Sequence, residues 1–201
     1  MMFPVTSYHR KHKAQILKNI PVTGLDAEAL CEVFHSTFFE RFNTCVEGGG
    51  LEPIYLPKSS ERKHHLIVYS HDYAASALHE IAHWCVAGEE RRQQEDYGYW
   101  YAPDGRTLEQ QKKFEHVEVK PQAYEWMFSV AAGRAFRVSA DNLEADVGAS
   151  DGFRRAIYQQ VIGFCRKGLP SRPRAFVEAL AQKSQRISPI TADHYSLSDL
   201  T

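Results

Sequence analysis

Residues 66–87 read LIVYSHDYAASALHEIAHWCVA, and they predict a short strand followed at once by a helix. The strand spans Leu66–Tyr69, where β-branched and aromatic residues favour an extended backbone. The helix spans Asp72–Ala87, and Gly88 after it suits a left-handed C-terminal cap. This strand–helix unit is the centre from which the rest of the domain is interpreted.

The predicted helix contains the sequence H-E-x-x-H, in which His79 and His83 are four positions apart. Residues four apart lie on one helical face, so both imidazoles can bind a single metal ion. Glu80 projects beside them as the candidate catalytic residue, a general base for metal-bound water in a peptidase. Neutral imidazole binds zinc, iron, nickel and copper, so the spacing leaves the metal open. The alternative is a pair of core or surface histidines near a glutamate, with no metal.

A two-histidine site needs a third ligand, and the downstream helix offers Glu115, Glu118 and Glu125. Their spacing puts all three near one face of a continuous helix, so periodicity does not choose among them. Glu118 is favoured because valines flank it, and a metal ion would offset the cost of burying a carboxylate there. His116 is a weaker alternative ligand.

The remaining helices are predicted from apolar periodicity and from capping residues. Thr107 and Gln110 form a capping box at the start of a helix that runs to about Val119. Pro121 either kinks that helix or opens a second one that extends to about Ala132. Three further helices are expected over Leu25–Asn43, Gly152–Lys167 and Pro173–Lys183.

The predicted fold class is α+β, with several helices and a small mixed or antiparallel sheet in one domain. A second strand is expected at Glu52–Leu56, and the glycines of Glu47–Gly50 indicate a flexible loop. We expect an N-terminal arm at residues 1–24, the metal-binding domain at residues 25–186 and a loosely attached tail at residues 187–201.

The amino-acid composition indicates a globular protein and gives no sign of binding to nucleic acid or to a membrane surface. The 201 residues are 43% hydrophobic and 24% charged, which suits a globular domain with a real core. Lys plus Arg number 24 against 25 Asp plus Glu, so no global excess of basic charge points to nucleic acid or a membrane surface. Four scattered cysteines without a C-x-x-C pair indicate reduced thiols, and hence a cytoplasmic protein. We expect a monomer.

A run of aromatic residues follows the predicted metal helix. The candidate substrate-binding residues are Tyr97, Tyr99, Trp100 and Tyr101, together with Arg106 after the turn at Pro103–Gly105. Aromatic bodies with polar tips suit a cationic side chain, although the same residues could simply fill the core beneath a turn. Basic clusters at Arg10–Lys13, Arg62–His65, Arg91–Arg92 and Arg166–Arg174 suggest a surface that docks an acidic partner.

Taken together, HEIAHWC (79–85), DYGYWY (96–101), PDGR (103–106) and VEVKPQA (117–123) resemble the elongation factor P hydroxylase family. The resemblance runs from about Leu25 to Leu180. It implies hydroxylation of the β-lysylated lysine of the acidic elongation factor P, on a metallopeptidase-like (zincin-like) scaffold. It also implies a non-haem Fe(II) site with molecular oxygen as co-substrate, and the metal ligands are then His79, His83 and Glu118.

Two other readings stay open on the residues alone. A zinc metallopeptidase would use the same H-E-x-x-H and helical third ligand. A binding module could keep the scaffold for docking on the translation apparatus without catalysis. The sequence contains no recognisable motif for 2-oxoglutarate, flavin or nicotinamide, and it leaves the electron donor undetermined.

Overall fold

The computed structural model describes residues 24–71, 73–96, 106–139 and 149–200. Five helices are found in these ranges: α1 (Ala27–Phe42), α2 (Ala74–Val86), α3 (Leu108–Ala131), α4 (Asp151–Lys167) and α5 (Ser171–Lys183). Three strands accompany them: β1 (Thr44–Gly50), β2 (Ile54–Leu56) and β3 (His65–Ser70). The predicted α+β class is therefore confirmed. The predicted N-terminal arm, apart from Gly24, and the aromatic run Tyr97–Tyr101 lie outside the described residues.

The sheet is mixed and has the strand order β1-β3-β2. β1 runs parallel to β3, with Thr44 opposite His65, while β2 runs antiparallel to β3. The prediction of a flexible loop at Glu47–Gly50 is wrong, because pairing with β3 extends β1 to Gly50 across an irregularity in register. A Cβ at Gly50 would lie 2.7 Å from the Val68 side chain, so the absence of a side chain is what permits this close pairing.

Helix α2 leaves the sheet directly after β3, as the sequence predicted, and buries one face in the core. Its fully buried residues include Leu78, Ile81 and Ala82. The predicted left-handed cap at Gly88 is wrong, because Gly88 does not have a positive φ and the cap residue before it, Ala87, has a φ of −58°. Arginine side chains from elsewhere in the chain bind the last carbonyls of α2 instead, which removes the need for a left-handed turn.

Helix α3 is a single continuous helix that begins at the predicted capping box. Thr107 and Gln110 exchange the two side-chain-to-backbone hydrogen bonds that define it. Pro121 lies inside the helix, so the alternative of a second helix opening there is wrong. Because Pro121 has no N–H, the carbonyl of Val117 lacks its usual helical donor.

The core lies where α1, α3 and α5 pack around α2. Aromatic rings fill it: Trp84 of α2 lies 5.1 Å from Phe34 and 4.9 Å from Phe38, measured between ring centroids. Phe128 and Phe176 meet at 4.9 Å in an edge-to-face arrangement. None of the helices in the described ranges combines the length and apolar character needed to cross a lipid bilayer.

The C-terminal segment is attached more firmly than the sequence predicted. Tyr195 and Leu200 are buried with the rest of the hydrophobic core, and the Tyr195 hydroxyl donates a 2.6 Å hydrogen bond to the carbonyl of Pro189. The prediction of a loose tail is therefore wrong for residues 187–200. The segment lacks periodicity because it packs through isolated residues and short 3-10 turns, which leave no repeating pattern.

Candidate metal centre

Three side chains converge between helices α2 and α3. The Nε2 atoms of His79 and His83 lie 3.0 Å apart. The Glu118 carboxylate lies 3.2 Å from Nε2 of His83 and 3.8 Å from Nε2 of His79. One ligand atom from each of the three residues falls within 4.8 Å of the other two, which is the geometry of a shared cation site.

The convergence follows from the way the two helices pack. His79 and His83 are one turn apart on α2, so they present their rings on the same side. The residues facing them on α3 occur in the reverse order, because His79 meets Glu125 while His83 meets Glu118. The two helices are thus antiparallel, and the two glutamates lie about two helical turns apart on α3.

The structure separates the three glutamates that sequence periodicity left equivalent. Glu115 accepts hydrogen bonds from the hydroxyl and the backbone N–H of Ser150, at 2.7 and 3.2 Å, and so braces the start of α4. Glu125 lies behind His79, with Oε2 at 2.8 Å from Nδ1. Glu118 alone of the three faces both Nε2 atoms. His116, the weaker alternative, lines a separate groove between α3 and α4.

Two supporting residues were not found by sequence reasoning. Gln122, one helical turn after Glu118, donates to the Glu118 carboxylate at 3.4 Å. The same amide donates to the Ser139 carbonyl at 2.7 Å and accepts from the Ser139 N–H at 3.1 Å. The i, i+4 spacing of Glu118 and Gln122 was a signal that could have indicated the first bond, whereas nothing in the sequence pointed to Ser139.

The electrostatics of the centre suit a cation. Burial by itself raises the pKa of Glu118, but the neighbouring imidazoles, His83 above all, lower it to about 2. Burial likewise opposes charging of His79, yet the carboxylates of Glu125 and Glu118 raise its pKa well above the ordinary value of 6.5. The pKa of His83 is raised for the same reason, chiefly by Glu118. The acidic side chains therefore create a negative potential at the point where a metal ion would sit, and the donor set fits one.

Glu80, the predicted catalytic residue, lies beside this cluster without belonging to it. Burial, followed by the charges of Glu118 and Glu125, raises the pKa of its carboxyl group above the ordinary value, although the two imidazoles oppose this shift. It lines a cavity of about 250 Å³ together with His83 and Glu118. A carboxyl group with a raised pKa next to a metal site is suited to accepting and returning a proton.

The cavity opens next to the three converging side chains and is mainly apolar. The other residues that line it include Tyr55, Ile67, Trp84, Val86, Val117 and Pro121. Arg106, a predicted substrate-binding residue, does not line it. Arg106 is instead buried with its guanidinium 3.9 Å from the Phe114 ring centroid and its Nε bonded to Gln111. The other predicted substrate-binding residues, Tyr97, Tyr99, Trp100 and Tyr101, fall outside the described ranges.

Comparison with known proteins identifies relatives of the chain. Residues 33–195 match the sequence profile of a family described as elongation factor P hydroxylase. A protein of Haemophilus influenzae, named elongation factor P lysine hydroxylase, is 49% identical over 153 residues. That match covers 76% of this chain and 86% of the relative. The matched region contains α2, α3 and every residue of the centre.

Proposed function

Because this chain belongs to the elongation factor P hydroxylase family, we propose that it hydroxylates the β-lysylated lysine of elongation factor P at a non-haem iron centre. The proposed iron ligands are His79, His83 and Glu118. The observation that carries the proposal is the approach of one carboxylate to two Nε2 atoms within hydrogen-bonding and ion-pair distance.

The proposed ligand set suits hydroxylation, the reaction in the description of the family. Two histidines and one carboxylate on one side of a metal form the facial arrangement of non-haem iron oxygenases, in which other coordination positions stay open. When bound, ferrous iron would supply the redox chemistry that activates molecular oxygen toward a C–H bond, which redox-inert zinc does not supply.

The residues of the chain have distinct tasks in this proposal. Glu125 fixes the ring of His79, and Gln122 holds the carboxylate of Glu118 toward the histidines. Glu80 holds or transfers a proton at the cavity wall. The apolar cavity between Trp84 and Pro121 excludes water around the lysine side chain. We further propose that α2 and the mixed sheet form a metallopeptidase-like core, and that the reaction takes place in the cytoplasm.

Zinc peptidase activity is the second candidate, and one observation favours it. A His₂Glu set with an adjacent glutamate is also the catalytic zinc set of thermolysin-type enzymes. The two activities make opposite predictions. A peptidase is active with zinc and cleaves peptides without oxygen, whereas a hydroxylase requires iron and oxygen and leaves the chain of its substrate intact.

The test is mass spectrometry of β-lysylated elongation factor P after incubation with metal-free protein reloaded with iron or with zinc. Aerobic incubation with iron and a reductant should add the mass of one oxygen atom to the modified lysine. Anaerobic incubation, or loading with zinc, should add nothing. Glu118→Gln should abolish the gain, while Glu115→Gln, on the same helix but bound to Ser150, should retain it. Oxygen incorporation by fully chelated protein would refute the iron centre.

A further inference from the structure

Several cations gather on one side of the cavity around two aromatic rings of the core. The guanidinium carbons of Arg41, Arg92 and Arg172 lie 5.2, 5.7 and 5.8 Å from the Phe42 ring centroid. Arg92 and Arg172 also lie 5.8 and 4.8 Å from the Trp84 ring. Trp84 and Arg92 are both residues of the cavity wall. The three arginines therefore lie next to the cavity wall formed by Trp84 and Arg92.

Lys58 extends this group of cations past the other wall of the cavity. The backbone N–H of the exposed residue Lys58 donates a 3.3 Å hydrogen bond to Nδ1 of His65. His65 in turn lies 2.9 Å from the hydroxyl of Tyr55, another residue of the cavity wall. We call Arg41, Lys58, Arg92 and Arg172 together the basic rim.

Backbone carbonyls hold the two inner arginines of the basic rim. Arg172 donates to the carbonyls of Trp84 and Ala87 at 2.9 and 2.6 Å, and Arg92 donates to that of Ala87 at 2.8 Å. The end of a helix offsets only about half of one positive charge. Two guanidinium groups at this end therefore leave a net positive charge. The pKa of Arg172 is lowered, first by burial and then by Arg92.

The neighbouring Arg91 differs from Arg92 and Arg172 because it has a carboxylate partner. It forms an ion pair with Asp96 at 2.7 Å, so its charge is neutralised inside the protein. Within the described ranges, neither Arg92 nor Arg172 has a carboxylate within 4 Å. Pre-positioned guanidinium groups that stack on aromatic rings are suited to bidentate binding of a carboxylate from outside.

We propose that the basic rim binds an acidic side chain of the substrate protein close to the modified lysine. This inference rests on the proposed function. A cavity of about 250 Å³ holds a long side chain but not a polypeptide, so the backbone of the substrate must pass outside it. Arg41 and Lys58 are exposed on that outer surface. The modified lysine enters toward His83 and Glu118 while a neighbouring carboxylate contacts the basic rim.

The experiment measures the affinity of the iron-free protein for β-lysylated elongation factor P by fluorescence anisotropy, at low and at high salt. Lys58→Gln and Arg92→Gln should each weaken binding about fivefold at low salt. The difference from the unmodified sequence should vanish near 1 M salt, where screening acts within about 3 Å. Arg92→Lys should recover most of the affinity. Arg166→Gln, an exposed cation on α4, is the matched control and should bind normally.

Replacing Lys58 should not disturb folding, because its side chain is exposed, so the Lys58 variant tests binding without a loss of stability. Wild-type affinity in both Gln variants at low salt would overturn the proposal, and so would a loss that persists unchanged at high salt. Binding and turnover are read separately. If the substrate gains oxygen but the Gln variants bind it as tightly as wild type, only this inference is overturned. If binding depends on the basic rim and on salt but no oxygen is gained, only the proposed reaction is overturned.

Discussion

The Oε2 atom of Glu125 lies 2.8 Å from Nδ1 of His79, on the side of the ring that faces away from Glu118. A carboxylate in this position can accept a hydrogen bond from Nδ1–H, which leaves Nε2 free to bind a metal. Glu125 thus contacts His79 through Nδ1 rather than Nε2, although its sequence spacing had made it an equal candidate for direct ligation.

Replacement of Glu125 by Gln should weaken metal binding by about 10- to 100-fold, because a neutral amide supports the imidazole less well than a carboxylate does. Competition with a chromophoric chelator measures the affinity for iron or zinc. Glu115→Gln provides the control, since Glu115 binds Ser150 and makes no contact with the histidines. Equal affinity in wild type and Glu125→Gln would show that the orientation of His79 is set by something else.

In the metal-free protein, the charged groups of the centre should stabilise the fold most in mildly acidic solution. The pKa of Glu118 is lowered from 4.5 to about 2, so its stabilisation is complete above pH 4.5 and is lost as the pH falls toward 2. The pKa values of His79 and His83 are raised above 6.5, so their stabilisation is complete below pH 6.5 and is lost as the pH rises through the raised values. Both contributions are complete between pH 4.5 and 6.5.

Urea unfolding in the presence of a chelator, repeated across this range of pH, measures the effect. The difference in midpoint between wild type and His83→Gln isolates the contribution of the centre from that of other titrating groups. This difference should shrink from pH 6 to pH 9. A bound metal should reverse the trend, because it requires neutral imidazoles. A difference that grows with pH in the metal-free protein would contradict the assignment of raised histidine pKa values.

Loss of the Gln122 side chain should damage both stability and metal affinity. Gln122→Ala removes two hydrogen bonds to the backbone of Ser139 and one to Glu118, all at a fully buried position. We expect a decrease of about 1–3 kcal/mol in the free energy of unfolding, together with weaker metal binding. Denaturant titration and chelator competition give the two values. Gln159→Ala, at an exposed position on α4, should change neither. A destabilised variant with undiminished metal affinity would show that Gln122 does not position Glu118 for metal binding.

Tyr195 tests how the C-terminal segment is attached. Tyr195→Phe removes only the hydrogen bond to Pro189 and should cost about 1 kcal/mol. Tyr195→Ala also removes the ring that packs 5.0 Å from Trp126, centroid to centroid, and should cost about 3–5 kcal/mol. Thermal and urea unfolding report both changes. An alanine variant as stable as wild type would restore the earlier expectation of a loose tail.

Local patterns in the sequence determined the elements of the centre. The four-residue spacing of His79 and His83 placed both rings on one helical face, and the capping box at Thr107 set the start of α3. Both signals arise within a few residues of the chain. They act through backbone geometry and nearby hydrogen bonds, so they are visible before any tertiary contact forms.

Only the tertiary structure decided which glutamate faces the Nε2 atoms of both histidines and which lies behind His79. The flanking valines that favoured Glu118 are not the reason for its burial, since Val117 is 51% exposed and Glu118 only 4%. The antiparallel packing of α2 on α3 is the reason, because it sets each carboxylate opposite a particular imidazole. The pairing of Gly50 with β3 and the burial of Tyr195 likewise depend on partners distant in sequence, which no local pattern records.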